Sequence, residues 1–190
     1  MERTFYLARE GGLVAVSRKD LLRFTGPTQV IALALMFRVF RRAVADLSAE
    51  IPPSRMDVHV LTACPLQGIL DCIDCVTRAR TLDDGRLTVD PGAGPDSAPA
   101  ALQGRFYFEI GINGRWRGYW PDSGIFNQEF RDRVTRFEEG ACSSAEAAAY
   151  QTWKQGMAAR ILGASEDELL HVQDVAPRLG NRSVGAQEAP

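Results

Sequence analysis

The chain has 190 residues, 45% of them hydrophobic and 24% charged. These are ordinary proportions for a globular protein, at a length that lets one domain bury its own core. A formal net charge of −2 makes no electrostatic case for nucleic acid or an anionic membrane as a partner. Of the 22 basic residues only Lys19 and Lys154 are lysines, a skew that reads as coding bias rather than ligand recognition.

The opening MERTFYLAREGG is too charged for the apolar core of a signal peptide. The longest apolar run, VIALALMF from Val30 to Phe37, is far too short to span a bilayer. Four cysteines without a secretion signal point to reduced thiols. The expectation is a cytoplasmic protein that engages neither nucleic acid nor membrane.

Residues 1–16 predict a short strand, a turn at Gly11-Gly12 and the apolar run LVAVS. Ser17 is a candidate N-cap for a short helix, RKDLLRF, with Asp20 in its first turn. Gly26-Pro27 ends that element, and Pro27 can open the next as its first residue. A long helix then runs from about Pro27 to Ala49. Phe40, Ala43, Val44 and Leu47 share one face, opposite Arg38, Arg41, Arg42 and Asp46. Its first half is apolar all round, so it lies deep in the core or packs on a second subunit.

Pro52-Pro53 breaks the chain into a strand, MDVHVLTA. A second helix follows from Pro65 to about Arg80, then a short strand, RLTV, and a loop, PGAGPDSAPAALQG. RFYFEIGINGRWRGYW reads as a hairpin around Asn113-Gly114. A two-residue turn would put Arg115 and Arg117 on the face of Phe108 and Ile110. A three-residue loop with Gly114 left-handed puts Trp116 and Trp120 there instead, with Glu109 opposite Arg117, and this version is expected.

PDSGIFNQEFRDRVTRFEEG offers a cap at Asp122 or Ser123 and a stop at Gly140. Ser143 with Glu146 is a capping-box pattern for a helix that Gly163 terminates. Ser165 with Glu168 repeats it for a short helix ending near His171. The expected organisation is one α+β domain over residues 1–173, a mixed β-sheet flanked by helices. It has a long buried N-terminal helix and a helical C-terminal third, and residues 174–190 form a disordered tail.

The chemistry, if any, centres on CPLQGILDCIDCVTRARTL. Leu66, Ile69, Leu70, Ile73 and Val76 form an apolar stripe, and Cys72 and Cys75 fall beside it with Gly68 and Ala79, a small-residue side suited to close approach. Cys64 precedes the first turn, where the helix dipole favours a thiolate. On a continuous helix Cys64 and Cys75 are roughly 16 Å apart along the axis, too far to share one zinc within a chain. A Cys72/Cys75 site would need two more ligands from His59, His171 or Cys142. The plain alternative is that all three thiols are small packing residues. His59 likewise reads as a strand residue or a ligand, and His171 as a partner for a helix C-terminus. Asp71 and Asp74 read as a solvated face. Trp116, Tyr119 and Trp120 are either core packing or a binding wall.

The order VSRKDLLRFTGPTQVIALALMFRVFRRAVADL, CPLQGILDCIDCVTRARTL, RLTVDPGAGP and AARILGASEDELLHV resembles the FmdE family, a component of formylmethanofuran dehydrogenase, over roughly residues 14–172. Cys64, Cys75 and Leu82 keep the positions of that family's second motif. Its two motif histidines correspond to Thr25 and Pro27, and neither can replace imidazole as a metal ligand. The resemblance implies a homodimer in a one-carbon-pathway setting, with a protein partner there, and a family metal site lost or rebuilt. It does not imply catalysis.

Three readings follow. The first is a non-catalytic accessory or ligand-binding protein with a degenerate metal site, its ligand contacts sought at Thr25, Gly26, Cys64, Trp116 and Trp120. The second is a metal-binding protein or enzyme using Cys64, Cys72 and Cys75 with His59, and a divalent transition metal such as zinc. The third is a structural component of an obligate complex, joined through VIALALMF.

Overall fold

In the computed structural model, residues 4–140 and 143–178 are described. Of the expected tail, 174–190, residues 179–190 lie outside the described residues, as does Cys142. The chain begins with an antiparallel pair, β1 (Phe5–Arg9) and β2 (Gly12–Val16), in register from Phe5 opposite Val16 to Arg9 opposite Gly12. Helix α1 (Arg18–Thr25) starts at the expected cap. Ser17 Oγ accepts from the Asp20 amide, and Asp20 Oδ2 accepts from the Ser17 amide at 2.9 Å. Two orphan donors of the first turn are thereby satisfied.

Helix α2 (Val30–Leu47) starts three residues later than Pro27, because Gly26 at φ 79° ends α1 and the chain turns once before Gln29 opens the helix. Every residue from Leu33 to Phe40 is buried, so VIALALMF forms part of this chain's own core. A 3-10 turn (Arg55–Asp57) leads into β3 (Val58–Thr62). The cysteine helix is shorter than expected and broken. Helix α3 (Gln67–Thr77) ends where Arg78 turns left-handed at φ 59°, and α4 (Ala79–Leu82) adds one more turn. Asp74, expected on a solvated face, is 5% exposed. It accepts hydrogen bonds from the Thr81 amide and hydroxyl, tying the break together.

The main sheet has the order β4-β3-β5-β6-β7, with β4 Leu87–Val89, β5 Phe108–Ile112, β6 Arg115–Pro121 and β7 Leu170–Asp174. It is mixed: β3 and β4 run parallel through the α3–α4 crossover, and the other neighbours run antiparallel. Helices α5 (Gln128–Glu139), α6 (Ser144–Gly163) and α7 (Glu166–Leu169) complete the fold. The fold is α+β, a mixed sheet flanked by helices. Asn127, not Asp122 or Ser123, caps α5. The capping boxes at Ser143 and Ser165 are present as read from the sequence. His171, expected at a helix end, lies in β7 opposite Trp120.

The β5–β6 hairpin closes through two residues, Asn113 at φ 52° and Gly114 at φ 77°, and not through the expected bulge. Ile110 therefore opposes Arg117 and Ile112 opposes Arg115. Arginines are tolerated on this face because they reach its edge, where α2 ends. Arg117 meets Asp46 at 3.5 Å and Asp174 at 2.7 Å, and Arg115 donates to the Leu47 carbonyl. Trp116, Trp120 and Glu109 consequently project from the opposite side of the sheet.

Arg38 is the other reversal. Expected on the polar side of α2, it is 1% exposed. Its Nη1 donates to the carbonyls of Ile161, Leu162 and Ala164 at 2.8, 3.2 and 2.8 Å. These are carbonyls at the end of α6, which a helix leaves without internal partners. Packing of α6 onto α2 turns a nominally polar position into an interior one.

Candidate functional site

Where α2 and α3 begin, Gly68 brings the two helices together. A Cβ at position 68 would come within 2.5 Å of Gln29 Oε1 and 3.1 Å of Ala32 Cβ. Gly68, Cys72 and Cys75 recur at helical spacing, and they form the small-residue side anticipated for α3. Cys72 is fully buried in the core and Cys75 Sγ lies 3.9 Å from the Asp20 carbonyl of α1. Ala79, grouped with them on a continuous helix, belongs to α4 instead.

Beside that contact lies a cleft with a volume of about 270 Å³. Its floor is apolar, from Ala32 and Leu35 of α2, Ile69 of α3, Phe106, and Phe130 and Val134 of α5. Gln29, Gln67 and Lys154 supply polar groups at its margin. Lys154 reaches across from α6, where Nζ donates to the Thr28 carbonyl at 2.8 Å and sits 4.9 Å over the Tyr150 ring. Neither α2 nor α3 carries a side-chain cap or an acidic residue in its first turn. Such a cavity, apolar with a few polar groups at one end, suits a small organic ligand.

The predicted site residues do not assemble into one centre. Thr25 and Gly26 precede the cleft on the chain: Thr25 Oγ1 donates to the Leu21 carbonyl at 3.0 Å, and Gly26 caps α1. Cys64 is fully buried, three residues before α3, with its amide donating to Thr62 Oγ1 at 3.1 Å. Burial pushes its thiol up to about 12, so the expected thiolate does not form at neutral pH. Burial also raises Cys72, strongly, and Cys75. The dipole expected to favour a Cys64 thiolate begins only at Gln67, and desolvation outweighs it.

His59 stands opposite Gly111, on the sheet face away from the helices, with its ring 6.0 Å from Trp116. Cys64 and Cys72 belong to the core on the helical face. The sheet therefore separates His59 from the cysteines proposed to share a metal with it. Among the described residues no three His, Cys, Asp or Glu side chains converge as metal ligands. Trp116 and Trp120 are likewise across the sheet from Thr25, Gly26 and Cys64. Trp120 is packed among Leu61, Ala63, Ala93, Ala98 and Tyr107 and stacks on His171 at 5.5 Å. Of the aromatic trio only Tyr119 faces the helices, its hydroxyl donating to Asp46 at 3.3 Å.

The sequence reading missed the cleft because its walls come from four helices, and residues such as Ala32, Val134 and Tyr150 carry no motif. Gly68 was the available signal. No protein-family model matches the sequence, and no curated protein matches it.

Proposed function

We propose that this protein is a non-catalytic ligand-binding or accessory protein of the FmdE type found in formylmethanofuran dehydrogenase, linked to one-carbon metabolism, with a degenerate metal site. The observation that carries the reading is the position of the cleft. Its walls include Thr28 and Gln29, directly after Thr25-Gly26-Pro27, and Leu66 and Gln67, directly after Cys64. These are the two segments through which the sequence resembles that family. With Thr25 and Pro27 in place of imidazoles, the cleft offers shape, apolar contact and amide groups rather than metal coordination. On this reading the protein is a cytoplasmic homodimer that holds a formyl-bearing carrier, or presents it to a protein of the same pathway.

The test uses N-furfurylformamide, a small furan-borne formamide, titrated calorimetrically into the wild type and into Ala32→Phe. Saturable binding to the wild type and its loss in the variant, with the melting temperature retained, supports the reading. Elemental analysis of protein purified without chelators addresses the cysteine reading. A stoichiometric transition metal that disappears in Cys75→Ala would replace the present proposal with a metal-binding one.

A further inference from the structure

The face of the sheet turned away from the helices contains a carboxylate that the cleft does not use. Glu109 is the second residue of β5 and is 3% exposed. A buried carboxylate is costly unless it is paired and hydrogen-bonded. Here the setting is built for it. Gly118 stands directly opposite Glu109 on β6. A Cβ at 118 would come within 2.5 Å of Tyr107 Oη, so the glycine leaves room for that hydroxyl, which donates to Glu109 Oε1 at 3.1 Å.

The cation that completes the site does not come from the sheet. It is Arg178, four residues beyond the end of β7, whose Nε donates to Glu109 Oε2 and whose Nη2 donates to Oε1 at 2.9 Å. This two-pronged arrangement is the one in which a planar guanidinium matches a carboxylate better than an ammonium does. Asp90 adds a second negative charge to the field around the guanidinium. The occupant is loosely supported otherwise. The Arg178 side chain is 51% exposed, and the strap reaches the sheet through a long backbone bond, Val175 N to Trp116 O at 3.4 Å. Most of the attraction therefore resides in the guanidinium, and little in the chain that delivers it.

We propose that Glu109 and Tyr107 form a receptor for an alkylguanidinium group, and that Arg178 is its resident and displaceable occupant. The site lies across the sheet from the cleft and stands independently of the function proposed above. A guanidinium on a short flexible arm exchanges with Arg178 and releases the strap. A monoamine of the same charge lacks the fork and competes poorly.

The test is thermal denaturation of full-length Arg178→Ala with n-propylguanidinium or n-propylammonium. Near saturation the guanidinium should raise the melting temperature by about 3 °C or more. It should half-saturate at a concentration at least about tenfold below the amine. The double variant Glu109→Gln, Arg178→Ala should not respond. No response in the single variant, an equal response to both cations, or an unchanged response in the double variant would overturn the proposal. The wild type gives a second decision, even if the variant does not fold. Its Arg178 Nε–Hε resonance should move towards that of a free arginine with about 100 mM n-propylguanidinium, a concentration above the millimolar effective concentration of a tethered arm. A resonance that stays in place rejects displacement.

Discussion

Arg38 donates to three carbonyls at the end of α6, and its Nη2 lies 3.4 Å from Glu166. Removing the guanidinium would leave those acceptors buried and one carboxylate short of a partner. Arg38→Met, which keeps most of the volume, should therefore cost roughly 3–5 kcal/mol in urea unfolding, with exchange of the last α6 amides accelerated. A loss below about 1 kcal/mol would mean that water replaces the arginine. Cys64 supplies a test of a different kind. Its thiol titrates near 9.0 in the unfolded chain and at about 12 in the fold. Folding strength is thus fully present below pH 9 and falls as pH rises towards 12, at up to about 1.4 kcal/mol per pH unit. Cys64→Ala should flatten that alkaline limb while lowering stability at neutral pH through the cavity left behind. A limb of the same slope in the variant would assign the effect elsewhere. Neither behaviour was legible in the local sequence: Arg38 follows an apolar run, and Cys64 precedes a helix by three residues.

At the level of elements, the serine capping boxes were the most readable features, because their chemistry is local. Ser17-Asp20, Ser143-Glu146 and Ser165-Glu168 all close reciprocal capping boxes. The Asp20 carboxyl is held below the usual value of 3.8, chiefly by the Ser17 hydroxyl and amide. Its contribution to α1 is complete above 3.8 and lost as pH falls through the lower folded-state value. Acid titration followed by amide shifts in α1 should show that order, and Ser17→Ala should bring the transition back towards 3.8. The hairpin departs from the expected register for a local reason. Face alternation argued against a two-residue turn, yet Asn113 and Gly114 both adopt left-handed φ, as that turn demands. Gly114→Ala should cost about 1–2 kcal/mol by chemical denaturation, since only the backbone preference is lost and a Cβ there meets open space. A neutral result would indicate that the loop can adopt the longer, bulged form.

The molecule as a whole has a sheet covered on both faces. Helices cover one, while the 91–104 loop, with Ala93 and Ala98, packs on Leu61, Tyr107 and Trp120 of the other. The loop is pinned where Gly104, at φ 67°, lies against β3: a Cβ there would come within 1.9 Å of the Ala63 carbonyl, backbone that cannot move aside. Gly104→Ala should destabilise by about 3 kcal/mol or more and expose Trp120 to quenchers. An unquenched Trp120 would show the loop to be dispensable as a cover. This two-sidedness also places His59 across the sheet from Cys64 and Cys72, and it separates Trp116 and Trp120 from Cys64.

The sequence by itself determined the fold class and the caps at Ser17, Ser143 and Ser165, because each depends on periodicity or on groups a few residues apart. It also determined that Thr25 and Pro27 offer no imidazole. Only the tertiary structure decided which residues meet. The hairpin register sends Trp116, Trp120 and Glu109 to one face and Arg117 to the other. The packing of α6 on α2 makes Arg38 an interior group. Four helices jointly enclose the cleft at Gly68, and Arg178 reaches a carboxylate 69 positions away in the chain. These outcomes depend on strand parity and on contacts between distant segments, where a shift of one residue exchanges inside for outside.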